Sequence, residues 1–147
     1  MMNDEQPPTI LGLVRWIGWA QRKAGEDWVR ERDLSQEQAF ALGYLAQNPG
    51  AIQREIAALT RTTAASVSSL VQGLERRGLI ERRTADGDER RKRVYATPAG
   101  IDLIAGFDDA MLAVDDVLLE PLDQRERDDL LRLLEKVTAG LPRPSRD

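Results

Sequence analysis

Residues 62 to 97 read TTAASVSSLVQGLERRGLIERRTADGDERRKRVYAT and combine two patterns of spacing. In the first half, apolar residues recur at the spacing that places them on one face of an α-helix. They are Val67, Leu70, Val71 and Leu74, and the opposite face carries Ala65, Ser68, Ser69, Gln72 and Arg76. Thr63 is a suitable N-cap for this helix. The pattern predicts a helix held by its apolar face, with a thin polar face that fits a groove.

After Gly78 the spacing becomes extended. Ile80 to Arg83 and Arg91 to Ala96 predict two strands, joined by a long tip over residues 84 to 90. Asp86-Gly87 is a turn signal within that tip, because glycine adopts positive φ without steric cost. A β-hairpin is therefore expected directly after the helix.

Basic charge is concentrated in this stretch. Residues 76 to 93 contain eight Arg or Lys and four Asp or Glu, a local charge of +4, so the rest of a chain of net charge −4 carries −8. A basic edge on an otherwise acidic protein is typical of a surface that faces phosphate groups. For the hairpin alone, a solvated loop with scattered charge is an equally good interpretation. Its position next to the polar-faced helix favours nucleic acid.

The composition is that of one folded domain without thiol or imidazole chemistry. With 147 residues, 41% of them apolar, the chain is long enough to bury a core. The absence of Cys and His excludes disulfides, thiolate metal sites and nucleophiles activated by His. We expect no cofactor and no metal site. No apolar run is long enough to span a membrane and the first residues do not resemble a signal peptide, so a cytoplasmic protein is expected.

The N-terminal region predicts a helix that is apolar on more than one side. It begins near Thr9, and its apolar residues are Ile10, Leu11, Leu13, Val14, Trp16, Ile17, Trp19, Ala20, Ala24 and Trp28. Such a helix needs two burial partners, its own domain and, most simply, a second copy of the chain. Its tryptophans are more often packing residues than ligand contacts.

Two shorter helices are expected next. Ser35 and Gln38 form a capping box, so a helix begins near Gln36 and ends at Asn48-Pro49-Gly50. Another is expected over Gly50 to Leu59, and only three residues separate it from the helix described first. Two helices joined this closely form a helix-turn-helix, whose second helix enters the major groove of DNA.

Two more helices are expected after the hairpin. Thr97-Pro98 combines an N-cap with proline at the first helical position, and a long amphipathic helix is predicted from there to about residue 119. Pro121 interrupts it. Asp123 and Glu126 then start a last helix that ends near Gly140.

In this order of elements the chain resembles the MarR family of winged helix-turn-helix transcriptional regulators, from about Ile10 to Leu141. Two motifs carry the resemblance, SVSSLVQGLERRGLIERR and DGDERRKRVYATPAG, and the second holds the wing signature Asp88, Arg90 and Lys92. The resemblance implies a mainly α fold of six helices with a small β-wing. It implies one MarR-like chain over 1–147, with a DNA-binding lobe over 34–96 and dimerisation helices over 9–33 and 97–141.

The function implied by the resemblance is sequence-specific binding of double-stranded DNA. A homodimer would bind a pseudo-palindromic operator with two symmetric helices in successive major grooves. Such a protein would be a transcriptional regulator, most often a repressor released by a small aromatic ligand.

The resemblance also implies roles for single residues. Arg90 would enter the minor groove from the wing tip, with its guanidinium held by Asp88, although the two residues could also form an ordinary surface pair. The candidates for base or phosphate contact are Ser66, Ser68, Ser69 and Gln72, and those for the DNA backbone are Arg54, Thr62, Thr63, Arg76 and Arg77, with Lys92 on the wing. Within the group of Ser66, Ser68, Ser69 and Gln72, only Gln72 offers a bidentate pairing, suited to adenine.

A ligand cavity is a further implication of the resemblance. In the family, ligands bind between the DNA-binding lobe and the dimer helices. The residues that could line such a cavity are Trp16, Trp19, Phe40, Tyr44 and Phe107. They could equally fill the space, and the packed interpretation is slightly favoured.

Two other classes of function compete with this interpretation. A winged-helix dimer that binds proteins and no operator is the first, and the basic hairpin argues against it. An enzyme is the second. Its best candidates, Asp108-Asp109 and Asp115-Asp116, are adjacent residues on a helix that point about 100° apart, as expected of a solvated face rather than an acid–base pair.

Overall fold

The computed structural model describes residues 7–85 and 88–144, with the side chains of 85–91 outside the description. Within these residues lie seven helical segments and three strands. In chain order they are α1 (Ile10–Arg30), α2 (Gln36–Gln47), β1 (Ala51–Ile52), α3 (Gln53–Thr60), α4 (Ala64–Arg76), β2 (Ile80–Ala85), β3 (Asp88–Ala96), α5 (Pro98–Ile104), α6 (Phe107–Leu119) and α7 (Gln124–Thr138). In this described part, no helix is both long and apolar enough to cross a membrane.

The predicted helix starts are confirmed by their caps. The Ser35 hydroxyl accepts from the Gln38 backbone N–H at 3.1 Å, and the Gln38 amide accepts from the Ser35 N–H at 2.9 Å. Thr63, Thr97 and Asp123 each accept from the backbone N–H three residues on, at the first turns of α4, α5 and α7. Each cap satisfies an N–H that the helix itself leaves without a partner.

The sheet has the order β1-β3-β2 and is antiparallel. The predicted hairpin is confirmed, but its strands run on to Ala85 and from Asp88, so the predicted tip over 84–90 was too long. The register is irregular between Thr84 and Ala85. The expected turn residues Asp86 and Gly87 lie outside the described residues.

The third helix starts later than predicted. Ala51 and Ile52 form a strand instead, opposite Val94 and Arg93 on β3, and the helix begins only at Gln53. Gly50 enables this arrangement, because it adopts a φ of 85° and donates its N–H to the Val94 carbonyl oxygen at 3.1 Å.

The helix predicted from residue 98 to about 119 is interrupted. Ala105 has an extended backbone and Gly106 has a φ of 84°, which separates α5 from α6. Counted as one interrupted helix, α5 and α6 give the six helices predicted from the sequence.

The described residues fall into two compact units, one within 25–107 and one formed by the described residues before 25 and after 107. All of the buried core belongs to the unit 25–107, which contains the predicted lobe of 34–96 together with the end of α1 and all of α5. Its fully buried side chains include Leu42, Leu45, Ile56, Val67, Val71, Leu74, Ile80 and Val94. The core therefore holds α2, α3, α4 and the sheet together.

Candidate nucleic-acid interface

α3 and α4 are joined by a tight turn. α3 ends at Thr60, and Arg61 closes it in the left-handed region, with φ 51° and ψ 38°. The Thr60 hydroxyl donates to the Ile56 carbonyl oxygen at 2.9 Å and lies 2.8 Å from the hydroxyl of Thr62. Thr62 is thus half-buried and held by Thr60, while Thr63 is exposed as the N-cap of α4. The turn produces the predicted helix-turn-helix.

α4 is amphipathic as predicted. Val67, Val71 and Leu74 are at most 1% exposed, and Leu70 packs against them from the edge of the core. The exposed residues of the opposite face are Ala65, Ser66, Ser69, Gln72 and Arg76, whereas Ser68 is half-buried. Of the polar face predicted from the sequence, all residues except Ser68 are therefore exposed, and Ser66 beside them is exposed too. Ser68 is only partly accessible.

The hydroxyls at the start of α4 are already hydrogen-bonded. Thr63 accepts from the Ser66 backbone N–H at 3.2 Å and donates its hydroxyl to the Ser66 hydroxyl at 3.0 Å. In the described structure the side chains of Ser69 and Gln72 form no such bond. These two residues consequently present free donors and acceptors at the middle of the helix.

The arginines around α4 differ in what they contact. Arg54 on α3 and Arg76 at the end of α4 are exposed. Arg77 is exposed too, but its guanidinium donates to the carbonyl oxygens of Asp33 at 2.6 Å and Arg32 at 3.1 Å. Three arginines that are expected to face the DNA backbone thus divide into two open side chains and one that is anchored.

An ion pair joins α4 to the wing, the hairpin of β2 and β3. Arg82 donates to both carboxylate oxygens of Glu75, at 2.7 and 3.0 Å. This hydrogen bond holds the pKa of the Glu75 carboxyl below its usual range, against the opposing effect of burial. Sequence reasoning missed the pair, because Glu75 precedes the turn at Gly78 and Arg82 follows it, so neither the helical nor the extended periodicity relates them.

Other basic residues of the wing are bound within the lobe. Arg93 donates to the Gly50 carbonyl oxygen at 2.9 Å. Arg83 forms an ion pair with Glu81 and lies 4.4 Å from the centroid of the Tyr95 ring. Lys92 is exposed and lies opposite Thr84 in the register. Lys92 is therefore the best placed of these side chains to meet an external anion.

The side chains of the predicted wing-tip pair, Asp88 and Arg90, lie outside the described part of the structure. By their backbone, both residues belong to β3. Their roles remain predictions from the resemblance.

The predicted ligand residues occur in both compact units. Trp16 and Trp19 on α1 are 55% and 54% exposed. Phe40 on α2 is 59% exposed, while Tyr44 and Phe107 pack against the core of the unit 25–107. Phe107 also contacts Trp28 edge-on, with ring centroids 5.2 Å apart. Tyr44 and Phe107 are thus packing residues of this unit, whereas Phe40 is exposed.

Known proteins share both the sequence pattern and the fold. The family model described as MarR family matches residues 32–91. The transcriptional regulator BilQ of Clostridium symbiosum is 30% identical over 108 residues, which are 69% of this chain and 75% of BilQ. A transcriptional regulatory protein assigned to the hcr operon of Thauera aromatica is 32% identical over 96 residues, and the chain spans only 58% of its length.

Solved structures extend the similarity over nearly the whole chain. A mutant MepR of Staphylococcus aureus bound to an oligodeoxyribonucleotide has a TM-score of 0.81 and 29% identity, covering 91% of this chain and 99% of MepR. MepR bound to ethidium bromide has a TM-score of 0.66 and 30% identity, covering 91% and 96%. MepR is a transcription regulator of the multidrug efflux pump MepA. Since the family model matches residues 32–91, and BilQ and MepR align over most of their lengths at about 30% identity, the chain belongs to the MarR family of DNA-binding transcriptional regulators.

Proposed function

We propose that the protein is a homodimeric repressor that binds a pseudo-palindromic operator in double-stranded DNA and is released by a small aromatic ligand. The observation that carries the proposal is the exposed face of α4, where Ser69 and Gln72 have free hydrogen-bonding groups beside a basic hairpin of the same compact unit. The DNA-bound MepR structure supports this role for a chain of the same fold.

In the proposed complex, α4 is the recognition helix in the major groove. The Gln72 amide pairs with an adenine, and the Ser69 and Ser66 hydroxyls contact neighbouring bases or phosphates. Arg54, Arg76 and Lys92 contact phosphates, with Thr62, Thr63 and Ser68 at the edge of the contact. Arg90 enters the minor groove, positioned by Asp88.

The proposed dimer covers apolar side chains of α1, α6 and α7 that are exposed in the single chain. Several are more than half exposed, among them Ile10, Leu11, Trp16, Leu112, Val117, Leu131 and Val137, and so is Leu141 just beyond α7. Burying an apolar side chain of this size stabilises an association by about 1.5–3 kcal/mol. A second copy of the chain supplies the matching surface by two-fold symmetry, with each helix contributing twice.

The ligand part of the proposal rests on the aromatic residues and on the ethidium complex of MepR. The residues proposed to contact a planar ligand are those of the sequence prediction: Trp16, Trp19 and Phe40 are exposed aromatic rings, while Tyr44 and Phe107 pack against the core of the unit 25–107. The emission of the tryptophans during titration with phenolic acids tests this part. The absence of a saturable change across a broad panel would contradict it.

The proposal assigns the chain no enzymatic activity, in keeping with relatives that are named as regulators. Because its proposed partner is chromosomal DNA, we infer that it acts in the cytoplasm.

The decisive experiment is binding of the purified protein to its own upstream intergenic DNA, with footprinting and a series of salt concentrations. The logarithm of the affinity should fall linearly with the logarithm of the salt concentration, with a slope of about −0.9 for each phosphate that is neutralised. Two protected half-sites about one helical turn apart are expected. Salt-independent or absent binding would favour the protein-interaction alternative.

Arg90→Ala should lower operator affinity strongly while the protein stays folded and dimeric, because the minor-groove contact is lost. Arg132→Ala is a matched control, since it removes the same charge from α7, where Arg132 pairs with Asp129 at 3.5 Å. Equal affinities of Arg90→Ala and the wild-type protein would reject the proposed wing insertion.

A further inference from the structure

The C-terminus of α4 is tied to the turn that follows α1. Arg77 caps α4, and its two terminal nitrogens donate to the carbonyl oxygens of Asp33, at 2.6 Å, and Arg32, at 3.1 Å. One planar guanidinium thus binds two successive backbone carbonyls. A lysine ammonium cannot reproduce this forked contact, because its donors radiate from a single nitrogen.

The carbonyls that Arg77 binds lie just beyond α1, which ends at Arg30. The carbonyl oxygens of Val29 and Arg30 accept from backbone N–H groups of the turn itself, whereas those of Arg32 and Asp33 accept from Arg77. Asp33 has a φ of 54°, in the left-handed region that non-glycine residues occupy only when the surroundings hold them there. The positive charge of Arg77 also lies at the negative end of the α1 dipole, where cations are favoured.

The same turn also contacts the aromatic ring of Trp28. The Arg32 guanidinium lies 3.4 Å from the centroid of the Trp28 ring and donates to the Trp28 carbonyl oxygen at 2.9 Å. Trp28 in turn meets Phe107 edge-on, at an interplanar angle of 77°. Phe107 is the first residue of α6. An unbroken series of contacts therefore runs from the start of α6 to the end of α4, all within the unit 25–107.

We propose that Arg77 is a positioning residue that couples α4 to α1 and α6, and not a phosphate contact. α1 and α6 are the helices by which the chain passes from the unit 25–107 into the unit that we propose to form the dimer. A displacement of Trp28 or Phe107 shifts the Arg32–Asp33 turn, and Arg77 transmits that shift to the end of the recognition helix. The effect of Arg77 on DNA binding rests on the proposed function, whereas the hydrogen bonds from Arg77 to Arg32 and Asp33 do not.

Two properties of DNA binding distinguish a positioning contact by Arg77, the tether, from a phosphate contact. They are the salt dependence of the affinity and the effect of a substitution that keeps the positive charge. Arg76 is the matched control, since it is the adjacent exposed arginine and the structure describes no hydrogen bond from its side chain. We expect Arg76→Ala to reduce the salt slope by about 0.9, the value for one phosphate. Arg77→Ala should lower operator affinity about tenfold, as expected for the loss of about 1.4 kcal/mol, without changing that slope.

Arg77→Lys sharpens the comparison because it keeps the charge and loses the fork. A tether predicts that Arg77→Lys loses nearly as much affinity as Arg77→Ala. Near wild-type affinity in Arg77→Lys, or a slope reduced by about 0.9 in Arg77→Ala, would overturn the proposal.

A second measurement reports on the tether without DNA. Replacing Trp16 and Trp19 by Phe leaves Trp28 as the only one of the three tryptophans. In that background, Arg77→Lys should shift the emission of Trp28 and increase its quenching by acrylamide, because the turn carrying Arg32 loosens, whereas Arg76→Ala should change neither. An unchanged Trp28 signal in folded Arg77→Lys would overturn the tether. Failure of the wild-type protein to bind DNA would reject the proposed function while leaving this readout intact.

Discussion

Gln72 is the uncharged side chain of α4 with the greatest capacity to distinguish bases. It is exposed at the middle of the helix, and its amide carries one acceptor and two donors, none of them bonded within the described structure. A serine hydroxyl at Ser69 can donate or accept and therefore discriminates poorly between bases. Specificity from direct contacts should accordingly depend on Gln72, with the remainder coming from groove shape under the wing.

Gln72→Ala should weaken operator binding by about 1–3 kcal/mol, the value of one bidentate contact to a base. The measurement is the affinity for the operator and for variants in which each A·T pair of a half-site is replaced in turn. One replacement should cost the wild-type protein affinity and cost Gln72→Ala nothing further. Gln47→Ala, an exposed glutamine at the end of α2, serves as the control. An equal loss on every DNA sequence would make Gln72 a phosphate contact.

At the scale of elements, the ion pair of Glu75 and Arg82 connects α4 to β2 of the wing. Arg82 is 23% exposed and Glu75 38%, and the contact is bidentate, a geometry that resists rotation of one element against the other. The helix and the hairpin that we propose to contact DNA are thus joined before DNA is bound.

Glu75→Gln should remove a pH-dependent part of the stability. The bond to Arg82 lowers the pKa of the Glu75 carboxyl in the folded protein. The pair therefore stabilises the fold fully above the ordinary Glu pKa of about 4.3. This contribution is lost as the pH falls through the lower pKa of the folded state. Because more than a third of the Glu75 side chain is exposed, the contribution should stay below about 1 kcal/mol.

Urea unfolding at fixed protein concentration, followed by circular dichroism between about pH 3 and 7, measures this effect. The difference in unfolding free energy between wild type and Glu75→Gln should be constant at the upper end and shrink below about pH 4.3. In a protein that already carries Arg82→Gln, adding Glu75→Gln should produce no such pH-dependent difference in unfolding free energy. A difference that persisted in the Arg82→Gln protein would show that another group causes it.

At the scale of the whole molecule, burial is distributed unequally. The unit 25–107 contains every buried residue of the described chain, and neither α6 nor α7 contributes one. Helices with exposed leucines and valines and no core of their own gain stability only from a further surface. This is the physical basis of the proposed dimer.

Val137→Lys should weaken dimerisation at least tenfold, because it places a charge on an apolar face of α7 where Val137 is 64% exposed in the single chain. Glu135→Gln is the control, since it makes the same charge change on the polar face of the same helix. Sedimentation over a range of concentrations should show Val137→Lys dissociating to 16.5 kDa and Glu135→Gln resembling the wild type. A dimer of unchanged strength in Val137→Lys would exclude this face of α7 from the interface.

The sequence alone determined the features that depend on neighbours in the chain. The caps at Ser35, Thr63, Thr97 and Asp123 involve bonds between residues three apart, and the buried face of α4 follows from its periodicity. The helix-turn-helix, the hairpin and the family could be predicted for the same reason.

Only the tertiary structure decided the features whose partners are distant in sequence. Ala51–Ile52 forms a strand because it pairs with the free edge of β3. Arg77 donates to carbonyl oxygens 44 and 45 residues away in the sequence. Gly100 packs closely against the backbone of Leu79. A Cβ atom at position 100 would lie 2.0 Å from the Leu79 carbonyl oxygen. Periodicity describes which face of an element is apolar, but it does not specify which distant groups meet that element, since chain folding brings them together.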